Sequence, residues 1–458
     1  MSHHAGRAFA VQWSQASRWS PGSFREVAWS WPPETIQPLS TVLRRRIECV
    51  GRAEHPLDSL VFGSLHFGGE LSRRDMSSKQ EVKGKLFFAH ADDVVYSKID
   101  ARNGAIGIVP HEMPLVVFSS EYPIYEVDRE RALPEYVKLL FRMASFRQRI
   151  NSLISGASGR KRVEPSTLEG IEVPLPPLAT QQAIVDHWQA AQRKNAAALR
   201  TADEQEAETE SAFLRDLGLK SSVSILTHRG FALHWSDVER WGVDGLRKTI
   251  GGIDPNKSKF AAESLSTVLE FAQYGTSDKA NEAQKGVPVL RISNIKDGRI
   301  SWENLKHIEL PGRTEASLKL VDGDILIIRT SGSRDLVGTC GVYRGDRPSV
   351  FASYLIRLRI DQSKAVPEFI SYFINSPAGR QQVDAVSRQI MQNNINSEEI
   401  KGLRIPLPPL AIQQHLVAEV SAARETIAAV RAAAAQRAAD TAREVEEMIL
   451  GHRPASKS

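Results

Sequence analysis

The chain has 458 residues, 41% of them hydrophobic and 25% charged, and its formal net charge is +5 at pH 7. This composition is typical of globular proteins and excludes a disordered chain. No stretch approaches the roughly 18 apolar residues of a membrane span, and the first residues lack the basic start and apolar core of a secretory signal. The two cysteines, Cys49 and Cys340, have no metal-ligand or redox spacing. We therefore expect two or three domains in a cytoplasmic protein without membrane contact.

The positive charge is concentrated outside two long runs of the chain. Residues 179–218 and 411–450 carry formal net charges of −3 and −2, which leaves +10 for all other residues. This distribution favours contact between the globular parts and a polyanion, and it leaves the two runs outside that contact.

Residues 1–178 are predicted to form one unit of mixed α/β secondary structure. Helical spacing of apolar residues predicts a helix over 134–154, near the end of the unit. Short β-branched or aromatic runs between turn residues predict strands in its middle, at 85–88, 94–96, 107–109 and 115–118.

A proline-rich hinge at 173–178 leads into residues 179–218, which contain no further proline and no glycine before Gly218. Such a run predicts one helix of about 38 residues, or about 57 Å at 1.5 Å per residue. Its apolar residues recur at spacings of three and four in a narrow stripe, which requires a partner helix. The residues that we assign to partner or coiled-coil contacts are Gln181, Gln182, Ile184 and Trp188.

The second part of the chain repeats this order of elements. Residues 219–410 are predicted to form a second α/β unit, with a helix over 367–386 and strands in its middle. Residues 411–451 are predicted to form a second long helix, and residues 452–458 a disordered tail. Its partner or coiled-coil contacts are assigned to Gln413, Gln414, Leu416, Val420, Ile427 and Val430.

Matching segments show that the chain is an internal repeat. The hinge sequence at 173–182 recurs at 405–414, 232 residues later, and the tryptophan pattern at 13–19 recurs at 235–241, 222 residues later. Because a missed repeat misassigns the architecture, we interpret the whole chain as a pseudo-two-fold object. The predicted fold is two tandem α/β units separated by two long helices that form an antiparallel coiled coil. The alternative is that each helix packs back on its own unit.

Two glycine-containing loops, 97–104 and 329–338, follow a strand at the same place in each repeat. Their basic, amide and hydroxyl side chains are of the kind that binds phosphate oxygens or base edges. Alternatively, Asp100 with Arg102, or Arg334 with Asp335, only ties the loop down. The DNA-binding candidates in these loops are Lys98, Arg102, Asn103, Arg329, Ser331, Ser333 and Arg334.

Further candidates are clusters of bases and of amides. Three adjacent bases are not expected to find partners inside the unit, so phosphate contacts are predicted for Arg44, Arg45, Arg46, Arg160, Lys161 and Arg162. Before the second hinge, Gln392, Asn393 and Asn394 occupy the place of the second of these clusters. These amides either read bases or cap the following turn.

The sequence shows no catalytic motif. The chain has no Asn/Asp-Pro-Pro-aromatic tetrapeptide and no Phe-x-Gly-x-Gly stretch, so it shows no adenine methyltransferase site. Residues 156–161 lack the spacing of a phosphate-binding loop, and the histidines have no metal-ligand spacing. Asp75, Glu81 and Lys83 lack the proline and strand of a nuclease site. These absences favour a reader of nucleic acid with no cofactor and no metal of its own.

The duplicated hinges, the 97–104 loop and the 329–338 loop together resemble the specificity subunit of type I restriction–modification systems, over nearly the whole chain. The resemblance implies two target-recognition domains that each read half of a bipartite, asymmetric DNA site, and helices that fix the gap between the halves.

The resemblance also implies protein partners that carry the catalytic activities. These are two methylation subunits, which bind S-adenosylmethionine and dock on the helices, and an ATP-dependent restriction subunit. Two alternatives stay open: the specificity chain of a related fused or non-type-I system, and a coiled-coil scaffold that does not bind DNA.

Overall fold

The computed structural model describes residues 29–51, 53–74, 84–153, 162–219, 252–296, 298–345, 347–389 and 393–455. The chain divides into two compact units: unit 1 comprises residues 1–199 with 431–458, and unit 2 comprises residues 200–430. Each unit therefore combines one globular part with segments of both long helices.

Unit 1 contains small antiparallel sheets and a helical layer. Its strands are β1 (Ile36–Pro38), β2 (Leu43–Arg46), β3 (Gly63–Leu65), β4 (Leu71–Arg73), β5 (Leu86–His90), β6 (Val94–Tyr96), β7 (Ile106–Ile108), β8 (Leu115–Ser119), β9 (Ile124–Val127) and β10 (Glu172–Pro174). Its helices are α1 (Pro134–Arg142), α2 (Ala144–Leu153), α3 (Pro165–Glu169) and the long α4 (Leu178–Asp216), of which residues 178–199 belong to this unit. The largest sheet has the order β2-β9-β6-β7.

Strand β6 lies between two apolar clusters, and all three of its residues are buried. Val94 and Tyr96 pack in the cluster that contains the buried faces of α1 and α2, whereas Val95 packs with β5 and β8 on the other side. Successive side chains of a strand point to opposite faces, so a fully buried strand needs cover on both. The loop 97–104, which connects β6 to β7, is thereby attached to the most buried strand of the sheet.

Unit 2 is built around a larger mixed sheet of order β12-β21-β17-β19-β15-β14. Its strands are β11 (Ala262–Ser264), β12 (Leu269–Tyr274), β13 (Val287–Leu290), β14 (Ile295–Lys296), β15 (Arg299–Ile300), β16 (Lys306–Ile308), β17 (Ile325–Ile328), β18 (Thr330–Ser331), β19 (Cys340–Val342), β20 (Val350–Phe351), β21 (Leu355–Ile360), β22 (Arg388–Gln389), β23 (Asn393–Asn394) and β24 (Arg404–Pro406). Its helices are α5 (Gly312–Leu318), α6 (Pro367–Asn375), α7 (Pro377–Val386), α8 (Ser397–Lys401) and residues 410–430 of the long α9 (Leu410–Leu450). Strand β17 corresponds to β6, because its four residues are all buried between two clusters.

Each hinge is closed by a strand pair and by one buried glutamine. Strands β1 and β10 pair in unit 1 as β11 and β24 pair in unit 2, so each hinge starts from a two-stranded ribbon. Gln181, which is fully buried, accepts a hydrogen bond from Leu133 N at 2.9 Å and donates to Arg131 O and Pro176 O at 2.9 and 2.8 Å.

Gln413 makes the same three contacts in unit 2. It is fully buried, accepts from Val366 N at 2.8 Å, and donates to Pro408 O at 2.8 Å and Lys364 O at 3.3 Å. The assignment of Gln181 and Gln413 to coiled-coil or partner contacts therefore needs correction. Their amide groups are saturated by backbone of their own unit, because each glutamine fixes the first turn of a long helix to the globular part.

Within unit 1, the segments of α4 and α9 run antiparallel, and in unit 2 the other segments of the same two helices also pack in one core. In unit 1, His187 Nε2 lies 3.0 Å from Glu444 Oε2, and Asn195 Oδ1 accepts from Arg437 Nε at 3.1 Å, so the α9 partner number falls as the α4 number rises. In unit 2, Phe213 of α4 shares a core with Leu416 of α9. The helix segments also pack on the globular parts, so both arrangements considered from the sequence occur together.

The two long helices end in the same way, on a left-handed glycine. Gly218 has φ +76° and Gly451 has φ +80°, a conformation that favours glycine at a helix C-terminus. The last carbonyl oxygens accept hydrogen bonds from the segment that starts a globular part: Leu217 O accepts from Lys259 N at 3.1 Å, and Leu450 O from Ser30 N at 2.9 Å. Of the predicted tail, residues 452–455 are described, and Arg453 pairs with Glu444 at 3.0 Å.

Candidate nucleic-acid interface

The loop 97–104 of unit 1 is held by backbone contacts that leave its tip exposed. Ser97 N donates to Ala105 O at 3.0 Å, and Asp100 N donates to Ser97 Oγ at 3.1 Å. Arg102 and Asn103 are exposed, whereas Lys98 is half-buried. The structure thus places Asp100 in the turn and presents Arg102 and Asn103 outward on a fixed backbone.

The described end of the second basic cluster lies beside this loop. Val163 N donates to Lys98 O at 2.7 Å, and Nη2 of the preceding residue, Arg162, lies 3.3 Å from Glu121 Oε2. Lys98 N in turn donates to Glu121 O at 3.1 Å. Lys98 and Arg162, which are 64 positions apart in the sequence, therefore belong to one surface. Arg160 and Lys161 lie outside the described residues.

The corresponding surface of unit 2 brings the loop 329–338 together with the amide cluster that precedes the second hinge. Strand β18 pairs with β23, with Thr330 opposite Asn394 and Ser331 opposite Asn393. Ile395 N donates to Arg329 O at 2.8 Å, as Val163 N does to Lys98 O in unit 1. Ser333 and Arg334 follow on the exposed part of the loop, and Gln392 lies outside the described residues. The two loops thus occupy equivalent places but carry different side chains.

Arg329 contacts the ring of one exposed tyrosine and the backbone of another, and sequence reasoning missed both residues. Its guanidinium carbon is 4.8 Å from the centre of the Tyr274 ring, and its backbone N donates to Tyr354 O at 2.9 Å. Tyr274 and Tyr354 are 41% and 53% exposed. This cation–π contact restricts the half-buried guanidinium group of Arg329. A local signal for these tyrosines is absent from the sequence, because they come from β12 and from the loop before β21.

The premise behind the Arg44–Arg46 prediction is wrong, because each arginine has a partner within unit 1. Arg44 Nη2 lies 3.1 Å from Asp128 Oδ2, Arg45 stacks 5.1 Å from the Tyr125 ring centre, and Arg46 Nε lies 2.7 Å from Asp93 Oδ2. Adjacent strand residues point to opposite faces and so reach different neighbours. Whether any of the three also contacts phosphate stays a prediction; Arg44 and Arg45 are exposed, and Arg46 is half-buried.

The ion pair of Arg46 is a structural feature that both repeats share. Asp93 is buried and accepts from His90 N at 2.8 Å; Asp324 is buried and accepts from Val321 N at 2.9 Å. Arg359 donates to both oxygens of Asp324, at 2.8 and 2.9 Å, as the counterpart of Arg46. Burial raises the pKa of Asp93 above its ordinary value, and the contacts of His90 N and Arg46 oppose that rise. Arg46 therefore ties strand β2 to the residue that precedes strand β6 through this ion pair.

The remaining helix residues fall into buried and exposed groups. Ile184, Leu416, Val420 and Ile427 are buried, and Trp188 and Val430 are half-buried. Gln182, which donates to Asp186 Oδ1 at 2.8 Å, and Gln414 are exposed. The buried residues of the apolar stripe stabilise the packing of the long helices on each other or on the globular parts. The two exposed glutamines do not contribute to the hydrophobic core.

Two further properties concern the described part of the chain. Within it, no group of three or more His, Cys, Asp or Glu side chains has the arrangement of a metal site. Its helices include none whose length and apolar content would suit a membrane crossing.

Comparisons with known proteins agree with this architecture. The model of the family described as "Type I restriction modification DNA specificity domain" matches residues 73–203 and 258–431, which together make up more than half of the chain. The chain is 28% identical to the EcoKI type I restriction enzyme specificity subunit of Escherichia coli K12 over 278 residues, 60% of this chain and 55% of the relative. It is also 28% identical to the StySPI specificity subunit of Salmonella potsdam over 290 residues, 63% of this chain and 58% of the relative. The chain thus spans little more than half the length of these relatives.

A solved chain has the same fold. It was reported as "Structural basis underlying complex assembly and conformational transition of the type I R-M system", and it matches with a TM-score of 0.53 and 18% identity over 92% of this chain and 98% of its own length. This likeness confirms the predicted fold class of α/β units combined with long helices. The two regions matched by the family model make up more than half of the chain, so the chain belongs to the type I restriction–modification DNA specificity domain family.

Proposed function

We propose that this chain is the DNA-sequence specificity subunit of a type I restriction–modification complex and reads a bipartite, asymmetric DNA site. The observation that carries the proposal is the pair of equivalent loops. In each unit, a loop follows the most buried strand. The backbone oxygen of one loop residue, Lys98 in unit 1 and Arg329 in unit 2, accepts a hydrogen bond from a segment that precedes the hinge. Equivalent placement supports equivalent tasks, and different side chains support different half-sites.

The charge of the chain supports DNA as the ligand. Basic side chains outside the long helices attract phosphates. When they neutralise phosphates, counterions leave the DNA, and the affinity for DNA therefore depends on the salt concentration. Arginine and asparagine form bidentate hydrogen bonds with guanine and adenine edges in the major groove, and both occur on these surfaces as Arg102, Asn103, Arg329 and Asn394.

The long helices act, in this proposal, as a ruler between the half-sites and as the docking surface for two methylation subunits. Their fixed attachment supports the ruler, because Gln181 and Gln413 hold the first turn of each helix to its own globular part. The chain itself would be non-catalytic. Adenine methylation with S-adenosylmethionine and ATP-dependent cleavage would belong to its partner subunits.

Selection from random-sequence DNA tests the proposal. The full chain, alone and co-expressed with a methylation subunit from its own system, is expected to enrich one two-part sequence. Lys98→Glu should change the preference in one half only, and Arg329→Glu in the other half only. Enrichment of no sequence, or a change in both halves from either variant, contradicts the proposal.

A further inference from the structure

The hairpin of β3 and β4 in unit 1 carries an exposed phenylalanine at its tip. Phe67 is 69% exposed, although large apolar side chains are usually buried. The tip is well formed: His66 N donates to Glu70 O at 2.9 Å, Gly69 N donates to His66 O at 3.1 Å, and His66 Nε2 lies 2.7 Å from Ser72 Oγ. Phe67 therefore projects from an ordered turn.

The tip is pressed against the start of β7 and the end of the loop 97–104. Gly68 N donates to Gly104 O at 3.2 Å. A Cβ added at Gly69 would lie 2.1 Å from Ile106 O, and one added at Gly107 would lie 2.2 Å from Gly69 O. Gly69 also has φ +82°, so this approach needs glycine twice over. The hairpin fixes Phe67 next to the loop that presents Arg102 and Asn103.

The surroundings of Phe67 favour a polyanion that has apolar surfaces of its own. Arg102 is exposed on the neighbouring loop, and Arg147 Cδ lies 3.8 Å from the position of a Cβ on Gly104. One acid, Glu70, lies at the same tip. DNA bases offer an apolar surface inside a phosphate envelope, and a two-stranded β-ribbon fits the major groove. Aromatic and other apolar side chains contact thymine methyl groups or enter opened base steps.

We propose that Phe67 makes an apolar contact with bases of the half-site read by unit 1 and so determines specificity there. The inference rests on the proposed function, since it needs a DNA half-site at this surface. It adds a reader that is neither basic nor amide and that comes from a hairpin outside the loop 97–104.

Binding selection with the full chain tests the proposal. Phe67→Ser should lose about tenfold in preference at one or two adjacent positions, within the range of a single mismatch. These positions should lie in the half-site that Arg102→Ala also alters, and the salt dependence should stay unchanged. Phe67→Leu, which keeps an apolar side chain, should retain most of the preference.

The chemistry of the contact is resolved by modified DNA. Replacing single thymines by uracil removes the methyl group. If this replacement lowers the preference of the wild-type chain as much as Phe67→Ser does, and lowers the preference of the Phe67→Ser variant no further, the contact is to a methyl group. If 2-aminopurine fluorescence rises at one step only with the wild-type chain, the side chain enters the stack. Leu115→Ser is the matched control. Leu115 is an exposed apolar residue of the same unit, with 43% of its surface accessible. It lies on β8 opposite His90 of β5, and so outside the β3–β4 hairpin and the loop 97–104.

Several results would overturn the proposal. Unchanged preference in Phe67→Ser would do so, as would the same loss in Leu115→Ser. An equal loss in Phe67→Leu with a lowered melting temperature would assign Phe67 to folding. Weaker association with the methylation subunit at intact DNA preference would assign the tip to a protein contact. If the wild-type chain enriches no sequence, the proposed function fails first and this inference with it.

Discussion

Replacing Arg329 by lysine is expected to relax the specificity of unit 2 at one base pair while leaving the charge of the surface unchanged. The guanidinium carbon of Arg329 lies 4.8 Å from the centre of the Tyr274 ring, and the backbone of Arg329 is hydrogen-bonded on both sides, to Tyr354 O and Ile395 N. Such a side chain loses little freedom when it binds, and its planar edge suits bidentate contact with guanine. Lysine keeps the charge but lacks the planar fork.

The size of the effect follows from these contacts. A good bidentate pair contributes about 1–3 kcal/mol of discrimination against the wrong base, which is about 5- to 150-fold. Removing the stacking partner by Tyr274→Leu should cost about 0.5–1 kcal/mol, the value of a cation–π contact at an exposed site. Because the stack acts through the guanidinium, Arg329→Lys and Tyr274→Leu should not be additive.

The assay is binding of the full chain to its selected site and to each single base substitution, at several salt concentrations. Arg329→Lys should flatten the preference at one position and keep the salt slope, because the number of charges near phosphates is constant. Arg313→Lys, an exposed arginine on α5 of the same unit, is the control. If Arg329→Lys weakens binding to every sequence by the same factor, Arg329 contacts phosphate and the assignment is refuted.

The remaining predictions concern the hinge, the phosphate contacts and the ruler. Gln413→Leu removes the side-chain partner of one buried backbone group, Pro408 O, and of two part-buried ones, Val366 N and Lys364 O. A buried group left unpaired costs about 1–3 kcal/mol, so the urea midpoint of unfolding should fall clearly. The exposed Gln414→Leu should change the free energy of unfolding by at most about 0.5 kcal/mol; equal midpoints contradict the hinge role. Replacing Arg160–Arg162 by glutamates should weaken binding to all sequences alike, since phosphates carry no sequence information; a loss confined to one half-site would exclude that role. Inserting seven residues into both long helices adds about 10 Å, or about three base pairs of spacer; an unaltered spacer in the methylated site would show that the helices are not the ruler.

Local patterns in the sequence predicted the features that depend on local physics. Proline at 174, 176 and 177 and again at 406, 408 and 409 ends a strand, and the absence of proline and glycine afterwards permits a continuous helix. The structure accordingly begins its long helices at Leu178 and Leu410. The repeat was equally visible, because duplicated residues keep their order and spacing whatever the tertiary structure.

The interface could be predicted only in part, because its parts meet through packing. The sequence indicated the loops at 97–104 and 329–338, since basic and amide residues follow strands there. No local pattern indicated that Ser331 pairs with Asn393, or that Gly68, the neighbour of Phe67, bonds to Gly104, because these contacts join segments that are distant along the chain.

The sequence by itself thus determined the duplication, the hinges, the long helices and the presence of basic loops, all of which follow from periodicity and turn chemistry. The tertiary structure decided the role of individual side chains. Arg46 became half of a structural ion pair with Asp93, and Gln181 and Gln413 became buried locks of their hinges. The physical reason is that a polar side chain is committed by whatever groups the fold buries next to it. That neighbourhood depends on strands and helices brought together from far apart in the chain.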